Sequence, residues 1–236
     1  MTQGDTTTWQ AKFHINPHIN VREIKNLPNI RLIKDSDNND AKAIELEVTI
    51  TARTYEDARK KAIEIANKCA AFLTFKKRFL VAATLLNIHR FRPSGITMSG
   101  YGNLSVTGSI DNYDNIDLTA EPLLGIINNN EAKLSRQLSH YHRALETDDV
   151  INKIRELYQV IEDEHNNTSD FIKSHKWVRH FVSHPELNDP VMAEQALKFI
   201  GKEYLDPSQD LSKLKAEVSE MQKEAEKILE GKIPLK

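Results

Sequence analysis

Between Gly125 and Pro185 the chain contains neither glycine nor proline. A run that long without the two strongest breakers of regular structure is expected of helices. Its apolar residues recur at helical spacing. Leu134, Leu138, Tyr141 and Leu145 make one stripe, and Val150, Ile151, Ile154, Leu157, Tyr158 and Ile161 make a wider one, broad enough to face a bundle core. A third helix begins near Thr168 or Asp170 and carries Phe171, Ile172, Val178, Phe181 and Val182. It stops before Pro185, because the residue preceding a proline is pushed out of the α region. Asp189-Pro190 restarts a helix, with aspartate as N-cap and proline at the first helical position, and Val191, Leu197, Ile200 and Tyr204 follow on it. Leu211, Leu214, Val218, Met221, Ala225 and Ile228 then repeat at 3-4-3-4-3 spacing. That seam suits either another bundle helix or a short dimer contact.

Before about residue 125 the punctuation is different. Gly95, Gly100, Gly102 and Gly108 lie close together, and Gly125 follows Pro122. Residues 43–51 alternate as a half-buried strand. Thr54 with Asp57 resembles a capping box, after which Ala58, Ala62, Ile65, Ala66, Cys69 and Leu73 recur at helical spacing. Residues 78–89 suit a buried strand running on toward Phe91, and residues 96–110 suit a glycine-broken hairpin. Asn128-Asn129-Asn130 reads as a polar linker or helix lead-in. The expectation is a small α+β N-terminal domain over 1–125, then an all-α bundle over 126–236.

Composition narrows the function classes. No stretch of the 236 residues approaches the roughly 18 uncharged apolar residues of a membrane span. The polar start MTQGDTTTWQ lacks a signal-peptide pattern, and the single cysteine, Cys69, excludes an internal disulfide framework and a Cys-rich zinc site. A cytoplasmic protein with no membrane partner is expected. Net charge is −2, split as +2 over residues 1–125 and −4 over 126–236. Nucleic-acid contact would therefore need a local basic patch.

Six of the nine histidines, His140, His142, His165, His175, His180 and His184, fall in the first half of the helical region. Histidine is the side chain best placed to move protons near neutrality. Within SHKWVRHFVSHPEL, Arg179 is followed by polar His180 and, after three more positions, by His184. This segment resembles the HEPN superfamily, whose hallmark is Arg-x4–6-His with a polar residue after the arginine. The resemblance spans roughly residues 127–236 and leaves the first domain uncovered. It implies a HEPN-like helical bundle and a metal-independent RNA endonuclease with no cofactor, acting as a homodimer in a defence or toxin-like system, with a regulatory protein as a possible partner. It also admits a catalytically silent module that mediates dimerisation or binds a partner or nucleic acid. A helical adaptor unrelated to that family is the third reading. Arg136 with five residues to His142 is a second match to the spacing. The position of Arg179–His184, after two long amphipathic helices and at a helix stop, favours that pair.

The chemistry suits those residue types. Metal-free RNA cleavage uses the ribose 2′-hydroxyl against the adjacent phosphate, and needs a proton carrier and a cation facing the phosphorane oxygens. His184 is the expected general base or acid, and Arg179 the expected phosphate fork. Positions five apart on a helix differ by about 140° around the axis. Both reach one phosphate if Pro185 lets His184 swing back, or if two chains share a composite site, which is what the resemblance implies. His180 is a candidate substrate contact or a plain helix-surface residue. Lys76, Lys77 and Arg78, with Arg90 and Arg92 near Phe75, Phe79 and Phe91, are candidates for RNA backbone and bases, or solvated ends of a strand. His180 and His184 at i, i+4, with His140 and His142, have chelating spacing but no HExxH or cysteine partner, so no metal ligand is assigned. Glu162-Asp163-Glu164-His165 reads as a solvated helix end, Gly100-x-Gly102 as a turn or bulge, and Cys69 as a core residue.

Overall fold

The computed structural model describes residues 6–37, 41–91, 114–119, 121–165, 169–183, 190–201 and 209–233. From Trp9 every second residue is apolar, and Trp9, Ala11, Phe13 and Ile15 are buried on one face of a long strand, β1 (Thr7–Lys25). Pro17 interrupts this alternation, since it has no N–H for a ladder bond. There the register with β3 (Ala41–Ala52) shifts, between His14 and Ile19, and the buried set on β3 changes parity between Ala43 and Leu46. A second strand, β2 (Ile30–Lys34), pairs antiparallel with β3. β4 (Ala82–Arg90) runs antiparallel to the first half of β1, and β5 (Asp114–Asp117) runs parallel to its second half. The sheet order is β2-β3-β1-β4, with β5 beside β1. β1 and β2 lie outside the strands expected from sequence. The buried strand expected over 78–89 is also corrected: β4 starts at Ala82, borders only β1 among the described strands, and leaves Leu86 52% exposed. The hairpin expected at 96–110 and the turn at Gly100-x-Gly102 lie outside the described residues.

Helix α1 (Tyr55–Lys77) opens where Thr54 Oγ1 accepts from the Asp57 amide at 3.1 Å. Glu56 and Asp57 in its first turn, and Lys76 and Lys77 in its last, match the helix dipole. Ala58, Ala62, Ala66 and Cys69 form a buried stripe of small side chains, and the Tyr55 ring meets Trp9 edge-on at 5.9 Å. Burial pushes the Cys69 thiol up to about 12, so it stays protonated and inert. A short helix, α2 (Glu121–Ile127), runs through Gly125 and buries Leu123 and Ile126. The glycine expected to break the chain is thus helical, and the break falls at Asn129, whose φ is +60°.

The chain divides into two compact units, Met1–Leu73 with Val81–Asn128, and Thr74–Leu80 with Asn129–Lys236. The last turn of α1 belongs with the second, helical unit. That unit holds α3 (Ala132–Glu146), α4 (Val150–Glu164), α5 (Asp170–Ser183), α6 (Pro190–Ile200) and α7 (Leu211–Glu230). α3 and α4 are joined by three residues, of which Asp149 caps α4 by accepting from the Ile151 amide at 2.9 Å. α4 packs against α3, α5 and α7, and α6 against α5. The expected stripes form the core: Leu134, Leu138 and Tyr141; Ile154, Leu157, Tyr158 and Ile161; Ile172, Val178, Phe181 and Val182. The α7 seam is buried within its own chain at Leu214, Met221, Ala225 and Ile228. On α6, which packs on α5, Val191 and Leu197 are 58% and 47% exposed rather than packed. The architecture is α+β, a largely antiparallel sheet region followed by a helical region. Among the described residues no helix is long and apolar enough to cross a membrane.

Candidate active site

Trp177, Val178, Phe181 and Val182 anchor α5 in the core, which leaves Arg179 and His180 at the border of its buried face. The Arg179 side chain is 44% exposed. Its Nη2 lies 3.6 Å from Glu162 Oε2, and its guanidinium sits 5.6 Å from the centre of the Tyr158 ring. Both partners belong to α4, one turn apart, so one helix offers the cation a carboxylate and an aromatic face together. Burial, reinforced by Glu162, holds the Tyr158 hydroxyl above the usual phenol range, so it stays a neutral donor. Arg155 Nη2 donates to the Val182 carbonyl, one of the orphan acceptors at the end of α5. α5 is described as far as Ser183; His184 and Pro185 lie outside the described residues.

The second Arg–His match has a different geometry. Arg136 Nε and Nη2 form a fork to Asp163 on α4, at 2.6 and 3.1 Å. His142 instead faces Thr74, whose Oγ1 is 2.9 Å from its Nδ1. The structure directs these two residues to separate partners rather than to one substrate. Burial holds the His142 imidazole below its ordinary value of 6.5, with Glu146 opposing and Arg143 assisting. The unfolded chain then takes up a proton that the fold refuses. The stabilisation is therefore complete above about pH 6.5 and is lost as pH falls below it. Urea midpoints measured between about pH 7.5 and 5.5 should fall more in the wild type than in His142→Gln; parallel curves would show that His142 contributes nothing to the slope.

The basic run ends α1. Lys76 and Lys77 occupy its last turn. Arg78 follows in the left-handed region at φ +59°, stacks 4.3 Å from the centre of the Phe75 ring, and pairs with Glu226 and Glu230 on α7. Arg90 lies 5.4 Å from the Trp9 ring centre, while Arg92 is outside the described residues. The structure brings Arg78 and Arg90 to different aromatic partners.

The run Glu162-Asp163-Glu164-His165, expected as a solvated helix end, is instead a junction of ion pairs. Glu162 meets Arg179, Asp163 meets Arg136, Glu164 meets Lys133 and Lys232, and His165 Nε2 meets Glu224 at 3.0 Å. Burial works against the Glu164 carboxylate, but the Lys133 and Lys232 ammonium groups and Gln137 outweigh it and pull its pKa down to about 2. Neighbouring helices supply these cations, and no local spacing in the sequence announces them. His140 is likewise taken up, with Nδ1 2.7 Å from Glu156 Oε2. Comparison with protein-family models, with curated proteins and with solved structures finds no match.

Proposed function

We propose that the chain is a metal-independent RNA endonuclease of the HEPN type, whose helical unit is a HEPN-like bundle acting as a homodimer. The observation that carries this reading is the half-exposed Arg179 guanidinium, held by α4 in the last turns of α5, just before the helix ends and His184 follows. A permanently charged planar fork in that setting suits a phosphodiester. RNA phosphate would displace the Glu162 carboxylate from it, while Tyr158 keeps the guanidinium plane oriented. His184 accepts the 2′-hydroxyl proton, the alkoxide attacks phosphorus, Arg179 faces the phosphorane oxygens, and the P–O5′ bond breaks as the 5′-oxygen takes a proton from water. The products are a 2′,3′-cyclic phosphate and a 5′-hydroxyl end. His180, Lys76, Lys77 and Arg78 are the proposed further RNA contacts; Arg78 would have to exchange its α7 carboxylates for phosphate. A defence or toxin-like role follows from the resemblance alone; a regulatory partner and a cytoplasmic setting are proposed with it, the latter resting on the composition.

One observation favours the catalytically silent module as a second reading: Arg179 already has a carboxylate and an aromatic partner inside its own chain. Purified protein incubated with single-stranded RNA in EDTA decides between them. Cyclic-phosphate ends, lost in His184→Ala with the unfolding midpoint unchanged, are the expected result. Intact RNA with the wild type would leave the silent module standing, and cleavage that survives His184→Ala would remove the residue from the mechanism.

A further inference from the structure

α5 and α7 bring together His175, Glu217 and Glu220, whose donor atoms all lie within 4.8 Å of one another. His175 Nε2 is 3.3 Å from Glu220 Oε2 and 3.6 Å from Glu217 Oε2. The other ring nitrogen, Nδ1, is 2.9 Å from the Phe171 carbonyl oxygen. Ser174 Oγ is also 2.9 Å from Nδ1 and donates its own proton to the same carbonyl at 3.0 Å. The carbonyl only accepts and the hydroxyl proton is already committed to it, which assigns the remaining proton to Nδ1 and turns the Nε2 lone pair toward the two carboxylates. The ring is held in that pose by stacking on Phe171, at 4.0 Å and 11°. Glu217 is the more telling residue. Its side chain is 4% exposed, and its Oε2, aimed at the imidazole, has no hydrogen-bond partner.

A buried carboxylate oxygen without a partner, here Glu217 Oε2, is costly, and a nitrogen lone pair facing it and Glu220 Oε2 adds repulsion. A positive charge between the three atoms removes both penalties. A proton on Nε2 satisfies only Glu220, because 3.6 Å to Glu217 is too long for a hydrogen bond. A metal ion serves all three. Bonds of about 2.0–2.2 Å in tetrahedral geometry place ligand atoms about 3.4 Å apart, which the observed 3.3 and 3.6 Å bracket. The set of one imidazole and two carboxylates suits zinc-type ions better than magnesium or calcium, which prefer all-oxygen shells.

We propose that His175 Nε2, Glu217 and Glu220 bind a divalent transition-metal cation of the zinc type, clamping α7 to α5. Water fills the remaining position, which the 63% exposure of Glu220 leaves accessible. The Phe171 carbonyl is the outer partner that holds the imidazole in its ligating tautomer. The site shares no residue with the Arg179–His184 pair and stands independently of the nuclease reading.

The test uses the full chain, stripped with EDTA and dialysed. Zinc titrated calorimetrically should bind at one ion per chain, and cobalt should give the visible absorption of a tetrahedral site. With zinc about a hundredfold above Kd, the unfolding midpoint should rise by about 5–10 °C. Glu217→Gln should abolish the shift, and Glu220→Gln, whose side chain is exposed and not needed for folding, should weaken zinc binding at least about tenfold. No binding of zinc or cobalt to the wild type, or binding of equal strength in Glu220→Gln, overturns the proposal.

Discussion

Phe181→Ala should destabilise the helical unit by about 3–5 kcal/mol, read from chemical denaturation followed by helical circular dichroism. Phe181 is 1% exposed and meets the Trp177 ring edge-on at 6.3 Å. Truncation removes the transfer energy of the ring and leaves a cavity between α5 and its neighbours. Interiors pack at crystal-like density, so the surrounding core can close that space only in part. Val191→Ala on α6 is the control: at 58% exposure it should shift stability by less than about 0.5 kcal/mol. Equal losses in the two variants would mean that α5 is not a core helix.

Arg179→Ala should lower RNA cleavage by about 10²–10³-fold, the scale of losing one preorganised donor to a developing oxyanion. Arg179→Lys should recover little, because a single ammonium cannot reproduce two parallel N–H···O bonds. Glu162→Gln is the informative companion. It removes the carboxylate that competes with phosphate for the guanidinium, now 3.6 Å away, so RNA binding should tighten while cleavage persists. If the pair were only structural, an exposed bridge of this kind would contribute about 0–1 kcal/mol to stability, and neither variant would alter RNA turnover. Arg136→Ala should leave cleavage unchanged, because that side chain is committed to its fork with Asp163. A loss equal to that of Arg179→Ala would put the proposed chemistry at the wrong arginine.

Much of the helical region was legible because its signals are local. The gap between Gly125 and Pro185, the stripe through Ile154, Leu157, Tyr158 and Ile161, and the start of α5 at Asp170 each follow from residues within a few turns of one another. The start of α1 at Thr54 was legible for the same reason. β1 was missed although Trp9, Ala11, Phe13 and Ile15 alternate cleanly; Pro17, which a central strand would not tolerate, falls at a register shift, where a missing N–H costs no ladder bond. The α7 seam placed Val218 inward. The fold buries Glu217 there instead, a carboxylate on an otherwise apolar face, with Leu214 three positions before it and Met221 four after.

Local sequence determined the starts of α1, α4 and α6 and the inward stripes of α3, α4 and α5, because periodicity and capping act over one to four residues. Tertiary structure alone decided which charges meet. Arg179 finds Glu162, Arg136 finds Asp163, and His175 finds Glu217 and Glu220 across helices. The cost of burying each charge depends on partners that chain spacing does not specify, and packing brings them within a few ångströms.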